Sequence, residues 1–375
     1  MSCADWLLIL LIISVPAYCS GEQDRSPQDV AEPRIQFLGV GGWLLYWQGE
    51  GLLIAPSFSN PALLGVEGYP PLWVEPNKSR IDQYMPYAQD VTLLLVGHGH
   101  YDHLLDVPWV MSKHTPRAKL YGSDSVAHML KAMTARPENG QWTWVDSGRV
   151  FSVQECMAKI RRNGGDSSST LPGEWVYSSG GKIRVMPIES EHAGHIFGID
   201  LVPGEYTKDL EKVPTSVFGW KPGQPLAWLI DLFNEKGELA YRIHYQDSAS
   251  TPPYGLPPGL QDGKAIDVEI LSVASWQQVE HYPDRLLRLT QPRLVLLGHW
   301  ENFFGNDPYK PTPLRWQNEA AMVQAVRDNI PAGTVIRMPN PFAQIALPKA
   351  QLGFGNNESS KVSGCVKGLL DSSSP

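Results

Sequence analysis

Charged side chains are sparse in this sequence, and positive charge is in the minority. Asp, Glu, Lys and Arg make up 19% of the 375 residues, below the roughly 25% of an average soluble domain. The 39 acidic residues outnumber the 31 basic ones, which gives a net charge of −8. Such a chain has no overall attraction for phosphate backbones or anionic membranes, and we expect no nucleic-acid partner. A hydrophobic content of 42% nevertheless excludes a disordered chain and is enough for a large core.

Cysteine is also rare, and the four cysteines do not form a local zinc-binding or redox motif. Cys3 and Cys19 lie near the N-terminus, whereas Cys156 and Cys365 lie far apart in the body of the chain. These last two residues are able to pair in an oxidising compartment, but the sequence alone does not determine whether they do.

The N-terminal apolar run over residues 6–15 is too short to span a bilayer. It is followed by small residues, Ala17 and Cys19, at the spacing of a signal-peptide cleavage site. We therefore predict a signal peptide over residues 1–20, export to a periplasm or secretion, and a mature form without a transmembrane helix. The segment before Trp6 has no Lys or Arg, which is unusual for a signal peptide, so an uncleaved anchor and a misassigned start are the alternatives.

The rest of the chain predicts one mixed α/β domain over residues 34–348 and a flexible tail over residues 349–375. The 34 glycines and 32 prolines, without a repeat or a long linker, indicate many turns rather than long helices. The Gly39-Val40-Gly41-Gly42 segment resembles part of a dinucleotide loop, but the strand-like pattern after it favours a hairpin turn. Strand patterns occupy residues 35–40, 43–48, 51–56 and 91–97, helix patterns occupy 123–135, 284–289 and 317–329, and a Gly/Ser-rich stretch over 163–181 predicts a surface loop.

Four side chains that bind metals follow one of these strand patterns directly. They are His98, His100, Asp102 and His103, within six residues of one another. Neutral imidazoles and carboxylates are ligands of zinc and related ions. In an extended segment His98 and His100 project to the same side, and a turn directs Asp102 and His103 to a neighbouring position. The spacing therefore predicts two adjacent half-sites, one for each of two metal ions.

Three later strand patterns also end at a residue that binds metals. The runs over 182–188, 239–245 and 294–297 lead to His192 (with His195 as the alternative), to Asp247 and to His299. Each of these residues alone is weak evidence, because a polar residue after a strand is often structural. The carboxyl ends of strands in α/β sheets meet at one edge, however, so these residues are able to complete the two half-sites.

The His98-Gly99-His100-Tyr101-Asp102-His103 motif, with His192, Asp247 and His299 widely spaced after it, resembles the metallo-β-lactamase superfamily of binuclear metallohydrolases. This resemblance implies an αββα sandwich, in which two mixed sheets face each other with helices outside. It also implies that His98, His100 and His192 hold one ion, that Asp102, His103 and His299 hold the second, and that Asp247 bridges them. His192 is favoured over His195 because Ala193 and Gly194 follow it, as a small residue and Gly do in the family.

Two further stretches narrow the resemblance to a subgroup. HGHYDHLLD and LLGHWENFF are similar to segments of N-acyl phosphatidylethanolamine phospholipase D and the related ascorbate-phosphate lactonase group. One departure is Tyr245-Gln246-Asp247-Ser248, where relatives usually have Gly-Asp-Thr. The implied cofactor is a pair of divalent ions, with Zn²⁺ as the first choice and Mn²⁺ or Fe²⁺ as alternatives.

The expected activity is metal-dependent hydrolysis of a small-molecule or lipid-like phosphodiester or ester, with a hydroxide that bridges the two ions as the nucleophile. Asp102 is the predicted catalytic residue, which orients this hydroxide, and Tyr101, His195 and Trp300 are candidate substrate contacts. The chain has no Gly-x-Ser-x-Gly elbow, which argues against serine chemistry. The alternatives are a lactonase, thioesterase or β-lactamase-like carbonyl hydrolase, and a secreted metal-binding protein without catalysis. The oligomeric state stays open.

Overall fold

Two large mixed sheets form the centre of the molecule. The computed structural model describes residues 32–134, 145–162, 170–194, 202–352 and 364–368. Within these ranges one sheet has eight strands, the other has seven, and a separate ribbon has two. The ribbon consists of β7 (Lys159–Ile160) and β8 (Thr170–Leu171), and the order of strands in the large sheets is β16-β1-β2-β3-β4-β5-β6-β17 and β15-β14-β13-β12-β11-β10-β9.

The eight-stranded sheet begins with two hairpins and then becomes parallel. Strands β1 and β2 pair in antiparallel register around a tight turn in which Gly39 has a φ of +98°, a conformation that favours glycine. This pairing confirms the predicted hairpin over residues 39–42. From β3 to β6 all neighbours are parallel. The strands are β1 (Arg34–Gly39), β2 (Gly42–Trp47), β3 (Glu50–Ile54), β4 (Val91–Leu95), β5 (Lys119–Gly122), β6 (Val150–Ser152), β16 (Gln344–Ala346) and β17 (Lys367–Gly368).

The seven-stranded sheet has the same change of direction. Neighbouring strands from β9 to β12 pair in antiparallel fashion. From β12 to β15 neighbouring strands are parallel, so the change occurs at β12. The Gly/Ser-rich stretch over 163–181 was predicted as a loop, but its described part contains β8 and β9. The strands are β9 (Val176–Tyr177), β10 (Ile183–Glu189), β11 (Leu226–Phe233), β12 (Leu239–Tyr245), β13 (Val268–Ser272), β14 (Leu294–Gly298) and β15 (Val335–Arg337).

Apolar side chains from both sheets share one core, and helices cover the outer faces. Trp43 and Leu52 of the first sheet and Trp228 and Ile243 of the second are members of this core. A second core lies between the first sheet and helices α1, α3 and α4, and α5 and α6 pack with β13 and β14. The predicted αββα sandwich is therefore confirmed. The helices are α1 (Lys78–Tyr84), α2 (Tyr101–Leu104), α3 (Val107–Lys113), α4 (Asp124–Lys131), α5 (Asp284–Thr290) and α6 (Glu319–Arg327).

A disulfide attaches the C-terminal segment to the sandwich. Cys156 and Cys365 are bonded, with their Cα atoms 5.2 Å apart, and β17 pairs with β6. Residues 364–368 of the predicted tail are thus bonded and paired to the body of the domain. The predicted signal peptide lies outside the described residues. Within the described ranges, none of the helices has the length and apolar character that a bilayer span requires.

Candidate metal centre

Four strand ends meet at one edge of the sandwich and carry all seven predicted ligands. His98 and His100 follow β4, and the short helix α2 begins directly after His100 and carries Asp102 and His103. The other three ligands come from the seven-stranded sheet, where His192, Asp247 and His299 follow β10, β12 and β14. The predicted convergence of strand ends is thus present in the structure.

The first group of ligands is a cluster of three imidazoles. Ligand atoms of His98, His100 and His192 lie within 4.8 Å of one another, and the ring centroids are 4.5–4.7 Å apart. Burial lowers the pKa of His98, and the positive charge on nearby His103 lowers it further. The neutral form that binds a metal is therefore favoured at His98.

A second group contains Asp102, His103 and His299. The Asp102 Oδ2 atom lies 3.5 Å from His103 Nε2 and 3.4 Å from His299 Nε2, and the three ligand atoms lie within 4.8 Å of one another. Burial opposes ionisation of Asp102, but the imidazole of His103 and the hydrogen bond from His299 outweigh it and hold its pKa well below the usual range. Asp102 is accordingly an anion at neutral pH.

The Asp247 carboxylate lies between the two groups. Its Oδ2 atom is 2.5 Å from His98 Nδ1, and its Oδ1 atom is 3.2 Å from His103 Nδ1. Burial would raise the pKa of Asp247, but the imidazoles of His103 and His98 hold it well below the usual range. Burial would lower the pKa of His103, but the carboxylates of Asp247 and Asp102 outweigh this effect and raise the pKa to about 9. One anion thus contacts a histidine of each group.

Two glycines allow the chain to approach this centre closely. A Cβ atom on Gly97 would lie 2.3 Å from Asp247 Oδ2, and one on Gly41 would lie 2.6 Å from His103 Cε1. Both distances are far shorter than van der Waals contact. Gly41 was predicted only as part of a hairpin turn, and its contact with the centre was missed because the sequence does not show which strand ends lie opposite that turn.

Ser248 connects two of the ligand-bearing loops. Its Oγ atom accepts a hydrogen bond from the backbone N–H of Ala193, 3.0 Å away. This contact holds the segment after β10 against the segment after β12, and so fixes His192 near Asp247.

The predicted substrate contacts have different surroundings. Tyr101 is half-buried and packs against the outer core of the first sheet. Trp300 is buried between the sheets, and its indole N–H donates to the Pro339 carbonyl at 2.8 Å. His195 lies outside the described residues. Substrate contact by these three residues stays a prediction.

The donor set fits divalent metal ions. Five imidazoles and two carboxylates face one another in three overlapping groups, and this combination of nitrogen and oxygen ligands suits Zn²⁺ and its neighbours. His98 Nε2 and His299 Nδ1 are buried atoms without a hydrogen-bond partner in the described part of the chain. Because such atoms are costly unless they are satisfied, they are consistent with a bound ion.

Comparisons with known proteins give distant likenesses. No protein-family model matches the chain. Among curated proteins, the endoribonuclease YSH1 of Candida albicans is 23% identical over 199 residues, which cover 48% of this chain and 20% of that protein. The chain thus matches only about a fifth of this relative's length.

Several solved structures are similar over most of this chain. The novel metallo hydrolase Igni18 of Ignicoccus hospitalis has a TM-score of 0.42 at 14% identity, with 83% of this chain and 97% of that chain covered. The metallo-β-lactamase fold protein YhfI of Bacillus subtilis has a TM-score of 0.45 at 10% identity, with 83% and 98% covered. CmlA, a diiron β-hydroxylase of Streptomyces venezuelae, has a TM-score of 0.45 at 13% identity, with 84% and 54% covered. Likeness at this level says nothing about substrate.

Proposed function

We propose that this chain is a metal-dependent hydrolase that holds two divalent ions at the ends of β4, β10, β12 and β14. The observation that carries the proposal is the position of Asp247, whose two carboxylate oxygens face His98 of one group and His103 of the other. A buried anion between two groups of ligands suits a pair of adjacent ions, because one carboxylate is able to face both. Zn²⁺ is the ion that we favour, because five of the seven donors are imidazoles.

Each ligand has a defined task in this proposal. His98, His100 and His192 would hold the first ion, Asp102, His103 and His299 would hold the second, and Asp247 lies where it would serve both. The ions, when bound, supply a water of lowered pKa as the nucleophile and stabilise the negative charge that develops on the substrate.

Asp102 is the residue to which we assign proton transfer. Its Oδ2 atom faces His103 and His299, and its low pKa keeps the carboxylate ionised at neutral pH. We assign the other oxygen, Oδ1, the task of orienting the attacking water and accepting its proton.

The proposed substrate is a phosphodiester or ester of a small or lipid-like molecule. Support comes from the likeness of HGHYDHLLD and LLGHWENFF to a phospholipase D, and a relative named as an endoribonuclease agrees with phosphodiester cleavage. The net charge of −8 argues against a polyanionic substrate such as RNA. A carbonyl hydrolase that acts on lactones, thioesters or β-lactams is the second candidate, because two ions also activate water against carbonyl carbon.

Export is a separate part of the proposal. The disulfide between Cys156 and Cys365 supports it, because such bonds persist in oxidising compartments and are rare in the cytosol. Fractionation of cells that express the full chain, compared with cells that express residues 21–375, tests this point. Retention of both forms in the cytosol, with free thiols at both cysteines, would contradict export.

The first experiment is hydrolysis of bis(p-nitrophenyl) phosphate by protein reconstituted with Zn²⁺ or Mn²⁺. We expect activity that chelation abolishes and that falls by at least about 100-fold in His98→Ala and Asp102→Ala, because each variant removes a ligand. His114→Ala is the matched control, since His114 pairs with Asp82 at the surface.

Metal analysis separates the outcomes of this experiment. No turnover on the diester, with two ions bound per chain, would move the proposal to the carbonyl substrates, tested with lactones and nitrocefin. Full activity of His98→Ala and Asp102→Ala would overturn the assignment of the centre. Cleavage of a short single-stranded RNA would contradict the argument from net charge.

A further inference from the structure

Tyr245 is the last residue of β12 and lies two positions before Asp247. Its side chain is buried in the core between the sheets. The phenol oxygen lies 3.0 Å from the Gly41 carbonyl and within hydrogen-bond distance of Asp247 Oδ1. Both neighbours are acceptors, so the single phenol proton is directed to this pair of oxygens, and the carboxylate is the closer of the two.

The orientation of the Asp247 carboxylate needs such a contact. The terminal torsion of an aspartate side chain is broad, so the rotamer alone does not determine which way each oxygen faces. Here Oδ2 faces His98, and Oδ1 faces His103 and the Tyr245 phenol. The histidine nitrogens that face Asp247, His98 Nδ1 and His103 Nδ1, are able to donate to it only while they carry a proton and no ion. The phenol, which is not a ligand in our assignment, is able to donate whether or not an ion is bound.

We propose that Tyr245 is a positioning residue that sets the orientation of Asp247, so that one carboxylate oxygen faces each ion. This inference rests on the proposed two-ion centre and deepens it. Gly41 takes part as the second acceptor, and it ties the phenol to the hairpin of the other sheet.

A purely structural role for Tyr245 is the competing explanation, and β12 offers a matched control. Side chains alternate along a strand, so Tyr241 lies on the same face of β12 as Tyr245. Tyr241 is also buried in the core between the sheets, where its ring packs edge-on against Trp47 with centroids 5.6 Å apart. Within the described residues, none of the hydrogen bonds or ring contacts of Tyr241 is with one of the seven ligands. If Tyr245 only fills space, Tyr245→Phe and Tyr241→Phe should have similar effects on every property.

The experiment compares Tyr245→Phe with Tyr241→Phe in two measurements that do not depend on turnover. The first is the dissociation constant of Zn²⁺, measured by competition with a chromogenic chelator. We expect binding that is 10–100-fold weaker in Tyr245→Phe, as for the loss of a hydrogen-bond partner of a ligand, and unchanged in Tyr241→Phe. The second is the visible absorption spectrum of Co²⁺-loaded protein, which reports the coordination of the ion. We expect altered bands only in Tyr245→Phe.

A double-mutant cycle tests whether the phenol acts through the carboxylate. In an Asp247→Ala background the phenol has no carboxylate to orient, so Tyr245→Phe should cause no further change in Zn²⁺ affinity. The thermal midpoint of each metal-free variant shows whether it is folded. A Tyr245→Phe protein that fails to fold would attribute the effect to packing and overturn the inference.

The outcomes separate this inference from the proposed function. If wild-type protein binds two ions and Tyr245→Phe matches Tyr241→Phe in affinity and spectrum, the positioning role is wrong and the centre stands. An additive loss in the Asp247→Ala background would also overturn the positioning role. If wild-type protein does not bind two ions, the proposed function fails and the role of Tyr245 fails with it.

Discussion

Glu301 is a carboxylic acid that the fold buries almost completely, two residues after His299. Its Oε1 atom accepts a hydrogen bond from the Val40 backbone at 2.5 Å, and its Oε2 atom has no hydrogen-bond partner in the described part of the chain. Burial raises its pKa from 4.5 to about 7, although the backbone N–H of Val40 acts in the opposite sense. Above this pH the fold has to hold a charge that is incompletely solvated.

This burial predicts a pH-dependent effect of Glu301→Gln on stability. Because the folded pKa is raised above the unfolded value, the contribution of Glu301 is fully present below about pH 4.5 and is lost as the pH rises through about 7. The glutamine variant keeps the acceptor for Val40 and carries no charge. We therefore expect its unfolding free energy, relative to wild type, to be higher at pH 8.5 than at pH 5 by up to about 3 kcal/mol.

Urea denaturation of the metal-free proteins at both pH values measures this difference. Glu280→Gln is the control, since Glu280 is exposed and its substitution should show no pH-dependent difference. Stability curves of wild type and Glu301→Gln that run parallel between pH 5 and 8.5 would contradict the argument.

Individual site residues differ in how far the sequence predicts them. His98, His100, Asp102 and His103 are close in the sequence, so their local spacing was enough to predict their proximity. Tyr245 and Gly41 were missed as parts of the centre, although Tyr245 is only two residues from Asp247, because the hydrogen bond between them joins the two sheets across 204 positions of the chain. Long-range contacts of this kind depend on how the sheets face each other, which no local pattern encodes.

At the scale of elements, the strands were easier to predict than the helices. The patterns that lead to β1, β2, β3, β4, β10, β12 and β14 were recognised because each is an apolar run with a turn or a polar residue after it. Helices α1, α2 and α3 were missed; each has seven or fewer residues, which gives little helical period to recognise. Length alone does not explain this, because α5 is equally short and lies where a helix over 284–289 was predicted. Helix α4 begins after Ser123, whose side chain accepts a hydrogen bond from the Val126 N–H, as predicted for a helix from that residue. It ends at Lys131, so the predicted continuation through residues 132–134 is wrong, and residue 135 lies outside the described residues.

Asp106 lies two residues after α2, the helix that carries Asp102 and His103, and its side chain contacts the loop after β3. Instead of capping α3, its buried carboxylate accepts hydrogen bonds from the backbone N–H groups of Phe58 and Ser59, at 2.6 and 2.7 Å, and from the Ser59 hydroxyl at 2.5 Å. Three donors thus depend on one side chain.

We predict that Asp106→Ala destabilises the protein by about 3 kcal/mol, because it leaves these buried donors without an acceptor. Denaturant unfolding measures the change. Asp90→Ala is the control, since Asp90 pairs with Arg117 at the surface, and it should cost no more than about 0.5 kcal/mol. Equal losses in the two variants would show that the Asp106 hydrogen bonds contribute little.

At the scale of the whole molecule, the disulfide is a covalent link between distant parts of the chain. It joins residues 209 positions apart and holds the C-terminal segment beside β6, where β17 forms the edge of the eight-stranded sheet. A loop of this length removes much conformational entropy from the unfolded chain when it is closed.

The double variant Cys156→Ser/Cys365→Ser should therefore be less stable by about 4 kcal/mol and should bind the same number of metal ions, because neither cysteine is among the candidate ligands. Denaturant unfolding and metal analysis measure the two quantities. A reducing agent should lower the stability of wild type and leave the variant unchanged. If wild type is equally stable with and without the reductant, the bond does not contribute to stability.

The distribution of the ligands between the two sheets has a consequence for assembly. Each of the three groups of ligand atoms combines a residue that follows β4 with one that follows a strand of the other sheet. No partial chain that contains only one sheet is therefore able to complete a group. An ion bound at this centre would hold the two sheets together. Because it binds the packed sheets and not the separated ones, its binding free energy stabilises the packed form. During synthesis from the N-terminus the group of Asp102, His103 and His299 is not complete until His299 has emerged, so the second ion binds only after the ligands of the first are already in the chain.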